Sequence, residues 1–180
     1  MFIVGENLKQ LTKQYKIVND IRDVDETCIE LKLFSVIKRL VLPQNTSKNN
    51  HILKYGDSIP REYIKKEKIY DRGLKIPSKG CVLACSSQVV HIPRGYMGLV
   101  QTKGTLARMF MFAQCSDAQI DSGYKGRITF ELFNASPFDI VLRAEQSVAN
   151  LYILSASDKK VNEYEGKYNR AMEPTVPRYK

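Results

Sequence analysis

The 180-residue sequence contains no tryptophan and only two histidines, and it has no apolar run long enough to span a membrane. The first ten residues, MFIVGENLKQ, carry too short an apolar patch for a signal peptide. We therefore expect a cytoplasmic protein without membrane-spanning helices.

Cysteine and histidine are also too sparse to indicate a metal site. The residues concerned are Cys28, Cys81, Cys85, Cys115, His51 and His91. Cys81 and Cys85, in the strand-like run CVLAC, would share one face of a strand but lie too far apart to bind one metal ion. The pattern predicts buried, reduced thiols and no zinc.

The charge is strongly unbalanced, with 28 basic and 19 acidic residues and a formal net charge of +9. Such a chain favours anionic partners such as nucleotides, nucleic acid or anionic lipid. Residues 61–80 hold seven Lys and Arg against three acids. Because no aromatic residues alternate with these cations as in a single-strand binding groove, we interpret the segment as a solvated basic surface.

One amphipathic helix is predicted near the beginning of the chain. Leu8, Leu11 and Tyr15 recur at helical spacing, and Asn7 is a candidate N-cap. Residues 44–75 are polar and lysine-rich, which predicts a long irregular excursion with short strands.

The rest of the chain has the pattern of short β-strands. Residues 28–42 alternate, with Ile29, Leu31 and Leu33 on one face until Pro43 ends the run. From Leu74 onward, apolar runs separated by Pro- and Gly-containing turns recur at intervals of roughly ten residues, which is typical of a sandwich, jelly roll or barrel. We expect one domain, 1–180, ending in an extended, unpacked arm from about residue 158.

The segment QTKGTLARMF, residues 101–110, is a candidate anion-binding loop. Gly104 allows a backbone N–H to approach a ligand closely, and Thr105 adds a hydroxyl donor. Lys103 supplies a point charge and Arg108 a planar fork that matches phosphate. The alternative is a loop whose cations face water.

The segment QIDSGYKGRITFELFN, residues 119–134, places carboxylates in an unusual context. Asp121 precedes a tight turn, and Glu131 lies within the apolar strand-like run ITFELF. Strand alternation puts Thr129 and Glu131 on one face, and Phe130 and Leu132 on the other. Glu131 is therefore either an exposed position on the polar face or a carboxylate with a raised pKa that transfers protons.

Together these segments resemble the dCTP deaminase and dUTPase family. The counterparts of the family motifs are KGTLAR (103–108), IDSGYKG (120–126) and ITFE (128–131), and the tail YEGKYNRAMEPTVPR is similar to the arm of the deaminase branch. The resemblance implies a mainly β, distorted jelly-roll or β-barrel fold of the dUTPase-like type, with a short N-terminal helix and an extended C-terminal arm. It also implies a homotrimer with active sites between subunits, and a triphosphate bound with Mg²⁺.

The resemblance assigns three catalytic residues. Glu131 would be the acid/base of deamination, and Arg108 would orient the water and Glu131. Asp121 would meet the sugar 3′-hydroxyl in a deaminase, or position the attacking water in a dUTPase. The implied substrate-binding residues are Lys103, Gly104, Thr105, Asp121, Tyr124, Thr129, Phe130, Asn150, Tyr164 and Lys167.

Four positions depart from the family pattern. Gly104 replaces the first serine of the deaminase loop, and Asp117 stands where deaminases mostly have a small residue near the base. Ala171 replaces a glutamine of the arm, and Asn150 replaces the dUTPase-type glutamine.

The expected function is zinc-free hydrolysis of dCTP to dUTP in pyrimidine deoxynucleotide metabolism, continuing to dUMP if the protein is bifunctional. The zinc-deaminase signature of His-x-Glu and Pro-Cys-x-x-Cys is absent from the sequence. The alternatives are a dUTP diphosphatase using Asp121 and a catalytically silent deoxynucleotide-binding regulator. A nucleic-acid-binding module is the least favoured.

Overall fold

The computed structural model describes residues 1–42 and 52–179, and β-strands dominate this part of the chain. Two α-helices are α1 (Gly5–Tyr15) and α2 (Gly104–Ala107), and single 3₁₀ turns lie at Ile21–Asp23 and Arg61–Tyr63. The described strands are β1 (Phe2–Ile3), β2 (Ile29–Lys32), β3 (Val36–Leu40), β4 (Ile64–Lys68), β5 (Leu74–Ile76), β6 (Cys81–Cys85), β7 (Val90–His91), β8 (Tyr96–Thr102), β9 (Met111–Phe112), β10 (Gln119–Ile120), β11 (Lys125–Gly126), β12 (Thr129–Asn134), β13 (Ile140–Leu142) and β14 (Ser147–Ser155).

Two five-stranded antiparallel sheets form the body of the fold. One has the order β1-β14-β8-β10, with β2 also paired to β14, and the other has the order β4-β3-β6-β12-β9. Two small two-stranded ribbons, β11-β7 and β13-β5, complete the described strands. The arrangement confirms the expected mainly β fold, in which the described strands form open sheets in a distorted sandwich and not a closed barrel.

Both large sheets contribute to one contiguous apolar core. On β2 and just beyond it, Ile29, Leu31 and Leu33 are all fully buried, as the alternation predicts. From the other sheet, Phe130 and Leu132 of β12 are equally inaccessible. Pro43, the predicted end of the first alternating run, lies outside the described residues.

The N-terminal helix exists but begins earlier than predicted. Val4, not Asn7, occupies the N-cap position and offers no side-chain cap, while Asn7 lies within the helix. The Gly5 N–H instead donates to the carbonyl oxygen of Glu26 at 2.5 Å, so a tertiary contact replaces the expected cap. The predicted apolar stripe is confirmed at Leu8 and Leu11, which are buried.

The basic segment 61–80 contributes an edge strand. β4 pairs only with β3 among the described strands, and its lysines point mostly to solvent. Part of its charge is neutralised, since Arg39 and Lys65 both bind Glu67. Charged side chains on an edge discourage pairing with another chain. No helix in the described part of the chain is both long and apolar enough to cross a membrane.

The C-terminal arm is extended but, contrary to the prediction, it packs against the body. The Tyr164 N–H donates to the Ser122 carbonyl at 2.7 Å, and the Arg127 N–H donates to the Ala171 carbonyl at 2.7 Å. Lys38 Nζ donates to the Pro174 carbonyl at 2.7 Å. These hydrogen bonds fasten the arm to the body at several points, although the sequence shows no strand pattern.

The cysteines are all free, as expected, but only Cys28 and Cys85 are buried. The prediction of burial is wrong for Cys81 and Cys115, which are exposed. Burial raises the pKa of the Cys85 thiol to about 12, so this thiol stays protonated and unreactive at neutral pH.

Candidate active site

A cavity of about 640 Å³ opens at the end of β12 and beneath the C-terminal arm. Its walls come from β8, the β9–β10 loop, β10, the turn after it, β12 and the arm. The lining residues are Leu99, Ser116, Asp117, Ala118, Gln119, Ile120, Asp121, Tyr124, Ile128, Thr129, Glu131, Tyr164, Tyr168, Thr175 and Val176.

Strand alternation along β12 decides which side chains reach this cavity. The burial pattern of Thr129–Asn134 alternates strictly. Thr129 and Glu131 line the cavity, whereas the Phe130 side chain is fully buried in the core. The predicted parity is therefore confirmed. A substrate contact through the Phe130 side chain is excluded by this orientation, which leaves only its backbone.

Glu131 lies in this cavity without a cation partner among the described residues. Burial is the largest influence on this carboxyl and raises its pKa, and the negative charge of Asp117 raises it further. The Cys115 N–H, which donates to Glu131 Oε2 at 3.4 Å, acts in the opposite direction. A partly buried, unpaired carboxyl with a raised pKa beside an open cavity can both hold and release a proton.

Asp121 and Tyr124 form the neighbouring wall. Gln119 Nε2 donates to Asp121 Oδ1 at 2.9 Å, which orients that carboxylate. The Tyr124 hydroxyl donates to the Arg127 carbonyl at 2.7 Å, and its ring lies 6.1 Å from that of Tyr164. Burial raises the pKa of Tyr124 strongly, so its hydroxyl remains a neutral donor.

The two glycines of IDSGYKG are required by the arm that crosses them. A Cβ on Gly123, at φ +80°, would lie 2.4 Å from the Cβ of Glu163. A Cβ on Gly126 would lie 2.9 Å from the backbone N and O atoms of Ala171. Any larger residue at either position would displace the arm from the wall of the cavity.

The arm closes the cavity through a small hydroxyl contact. Thr175 Oγ1 lies 3.0 Å from Thr129 Oγ1, and the Thr175 N–H donates to Thr129 Oγ1 at 3.1 Å. Lys66 on β4 pairs with Glu173 at 2.5 Å, just before this contact. Part of the basic segment therefore anchors the arm.

The anion-binding loop lies on a different surface. Lys103 and Thr105 line a separate depression of about 380 Å³ together with Leu106, Met109 and residues of β13 and β14. Lys103 Nζ is paired with Glu30, so it is not the free cation that the sequence suggests. Arg108 is exposed, and a Cβ on Gly104 would lie 3.1 Å from Arg108 Nη1.

Asn150 belongs to the side of the fold that carries the loop. It stands opposite Glu30 on β2 and Gln101 on β8 in the strand register. Its Oδ1 atom is buried without a hydrogen-bond partner in the described residues. Lys167 of the arm is exposed and lies over the rings of Tyr168 and Tyr179, at 5.4 and 5.6 Å.

The expected site residues thus form two groups in one chain. The residues that line the large cavity are Asp121, Tyr124, Thr129, Glu131 and Tyr164. The residues that do not line it are Lys103, Gly104, Thr105, Arg108, Phe130, Asn150 and Lys167.

Sequence reasoning did not assign three further residues a role in the site, although the resemblance places Asp117 near the base. Asp117, Tyr168 and Thr175 all line the cavity. Asp117 lies four residues before Asp121 in the sequence and Tyr168 lies beside Lys167, so both adjoin assigned residues. Nothing local marks Thr175. Within residues 1–42 and 52–179, no three His, Cys, Asp or Glu side chains gather as ligands for a metal ion.

Comparison with known proteins identifies the class. The family model described as dCTP deaminase-like matches residues 2–155. This match spans most of the sequence, and the chain therefore belongs to the dCTP deaminase-like family.

Individual relatives are more distant. A dCTP deaminase of Pyrobaculum neutrophilum is 31% identical over 103 residues, which are 57% of this chain and 56% of that protein. A dUMP-forming dCTP deaminase of Sulfurihydrogenibium sp. is 26% identical over 113 residues, 63% of this chain and 62% of that protein. The chain thus spans a little over half the length of these curated relatives.

A solved structure supports the fold. The 2′-deoxycytidine 5′-triphosphate deaminase of Agrobacterium tumefaciens superposes with a TM-score of 0.63 at 13% sequence identity. The superposition covers 84% of this chain and 46% of that one.

Proposed function

We propose that this protein is a dCTP deaminase, which converts dCTP and water to dUTP and ammonia. The observation that carries the proposal is Glu131, a carboxyl with a raised pKa and no cation partner among the described residues, on the wall of an open cavity. Relatives named dCTP deaminase support the substrate.

In the proposed reaction, Glu131 accepts a proton from water as the oxygen attacks C4 of the cytosine. The same carboxyl then delivers this proton to N3. Transfer of the C4 hydroxyl proton to N4 next lets the C4–N4 bond break, which releases ammonia and leaves the C4 carbonyl of uracil. A carboxyl whose pKa is raised above its ordinary value by burial suits both directions of transfer. Asp121 and Tyr124 would hold the sugar on the neighbouring wall.

The charge of the cavity supports the proposal that a second copy completes the site. Among the described residues lining it, three are carboxylates, Asp117, Asp121 and Glu131, and none is Lys or Arg. Such a wall repels a triphosphate. We propose that the loop 103–108 of a neighbouring copy, and Lys167, supply the cations in a homotrimer, where closed symmetry repeats the same contact around the ring.

In this arrangement Arg108 would orient the water and Glu131, while Thr105, Lys103 and the Gly104 backbone would hold the phosphates. Lys103 must leave Glu30 to do so. That exchange is inexpensive because both side chains are about one-third exposed. Mg²⁺ would enter as part of the triphosphate substrate.

The direct test is product analysis of dCTP incubated with the protein and Mg²⁺. We expect dUTP or dUMP with the wild-type protein, and a loss of about 10²–10⁴ in rate with Glu131→Gln, because a general acid/base contributes about that much. Glu62→Gln, which changes an exposed carboxylate in the 3₁₀ turn before β4, is the matched control and should keep full activity. Wild-type turnover in Glu131→Gln would refute the assignment.

A second activity, hydrolysis of dUTP to dUMP and pyrophosphate, is supported by Asp121. This carboxylate lines the same cavity and is held by Gln119, so it could orient water toward the α-phosphate. The measurement is pyrophosphate release from dUTP by the wild-type protein and Asp121→Asn. Loss of release in the variant supports a bifunctional enzyme. Binding of both nucleotides without any product would support the silent regulator instead.

A further inference from the structure

Asp117 is the lining carboxylate to which the proposed reaction gives no role. It lies on the loop between β9 and β10, which is attached to Glu131 through the Cys115 N–H at 3.4 Å. Ser116 turns the chain with φ +72°, and its N–H donates to Gln114 Oε1 at 2.6 Å. The loop therefore places Asp117, an exposed side chain, on the wall of the cavity that Glu131 also lines.

No cation pairs with Asp117 in the described part of the chain, so its charge remains available to a ligand. The side chain is close enough to Glu131 for its charge to raise the pKa of that carboxyl. Asp121, the third carboxylate, is separately bound by Gln119. Asp117 and Glu131 thus line the same cavity within reach of each other's charge, and Asp121 lines it too.

We propose that Asp117 selects cytosine over uracil by accepting a hydrogen bond from the 4-amino group of the base. The inference rests on the proposed function, since it takes the C4 edge of the base to face Glu131. At neutral pH a carboxylate is only an acceptor. Cytosine presents N–H donors at C4, whereas uracil presents an oxygen, so a uracil base would bring two acceptors together.

This arrangement has a consequence for the product. Deamination replaces the donor that Asp117 binds by an oxygen that it repels. The site would therefore bind dCTP more tightly than dUTP and release the product readily. The expected preference is on the order of 10- to 100-fold, the range that one well-placed base contact provides.

The test measures binding without turnover. In the full-length Glu131→Gln protein with Mg²⁺, titration calorimetry gives the dissociation constants of dCTP and dUTP. Adding Asp117→Asn should lower the dCTP preference by roughly 10- to 100-fold, because an amide can either accept or donate at this position. Asp71→Asn, in the turn between β4 and β5 and outside the cavity lining, removes the same charge and should leave the preference unchanged.

Each outcome decides a separate question. An unchanged dCTP preference in Asp117→Asn overturns the role of Asp117, and the proposed function stands if the wild-type protein still deaminates dCTP. A preference that collapses in the variant supports the inference even if the wild-type protein forms no product, in which case only the deaminase assignment fails. Failure of both nucleotides to bind overturns both.

Discussion

The separation of Glu131 from Arg108 within one chain predicts how two inactive variants behave when mixed. Glu131→Gln removes the proposed acid/base, at a loss of about 10²–10⁴ in rate. Arg108→Ala removes a cation that stabilises charge in the reaction, at a loss of about 10²–10³. Each variant refolded alone should therefore be nearly inactive.

The mixture should recover activity, since each proposed site takes Glu131 from one copy and Arg108 from the next. When equal amounts assemble at random, half of the copies carry an intact Glu131 and half carry an intact Arg108. The two intact groups then meet at about one quarter of the interfaces in any closed ring. Joint unfolding in urea, refolding by dilution and a dUTP-formation assay should yield about a quarter of the activity of wild-type protein treated identically.

A second mixture calibrates the experiment. Wild-type protein refolded with Glu131→Gln should retain about half of the wild-type activity, whatever the site arrangement, because half of the sites keep the acid/base. If this control gives half while the two-variant mixture stays at the sum of its separate components, Glu131 and Arg108 do not meet across an interface and the two-copy site is wrong.

Two further predictions concern stability. The first uses the Arg108→Ala background, in which the proposed partner cation no longer reaches Glu131. Adding Glu131→Gln there should raise the thermal midpoint at pH 8 and leave it unchanged at pH 4. The reason is that a carboxyl with a raised pKa in the folded state destabilises the protein as pH rises above the unfolded pKa of about 4.5. An equal gain at both pH values would contradict the raised pKa. The second concerns Phe110, which is exposed and has a left-handed backbone at φ +57°. Phe110→Gly should raise the free energy of unfolding by roughly 1 kcal/mol in urea titrations, because glycine adopts this conformation without strain. Phe112→Gly, in β9, should lower the free energy of unfolding. Equal losses in the two variants would show that the Phe110 ring is held by packing.

Much of the fold was accessible from the sequence because local periodicity encodes it. Alternation over Thr129–Asn134 predicts which side chains enter the core, and the structure confirms this prediction. The register is strongly determined because a one-residue slip would bury Glu131. The helix boundary was less accessible. The Gly5 N–H is satisfied by the carbonyl of Glu26, a residue that no capping rule connects with it.

The packing of the arm depends on contacts between residues far apart in the chain. The sequence predicts a tight turn after Asp121, but it does not show that a side chain on Gly123 or Gly126 would collide with Glu163 or Ala171. A polar tail with two prolines has no periodicity to reveal such packing. Its backbone hydrogen bonds are visible only in the structure.

The division of the site into two surfaces has a physical rationale that neither motif reveals alone. If Arg108 lay beside Glu131 in one chain, the two would pair, and the cation would hold the pKa of the carboxyl low at all times. With the cation on a separate surface, burial raises the pKa of Glu131 in a single copy above its ordinary value. In the proposed assembly, Arg108 of the neighbouring copy would lower that pKa, because the loop 103–108 that binds the phosphates brings Arg108 next to Glu131. Substrate binding and the readiness of the base would then both depend on the same contact between copies.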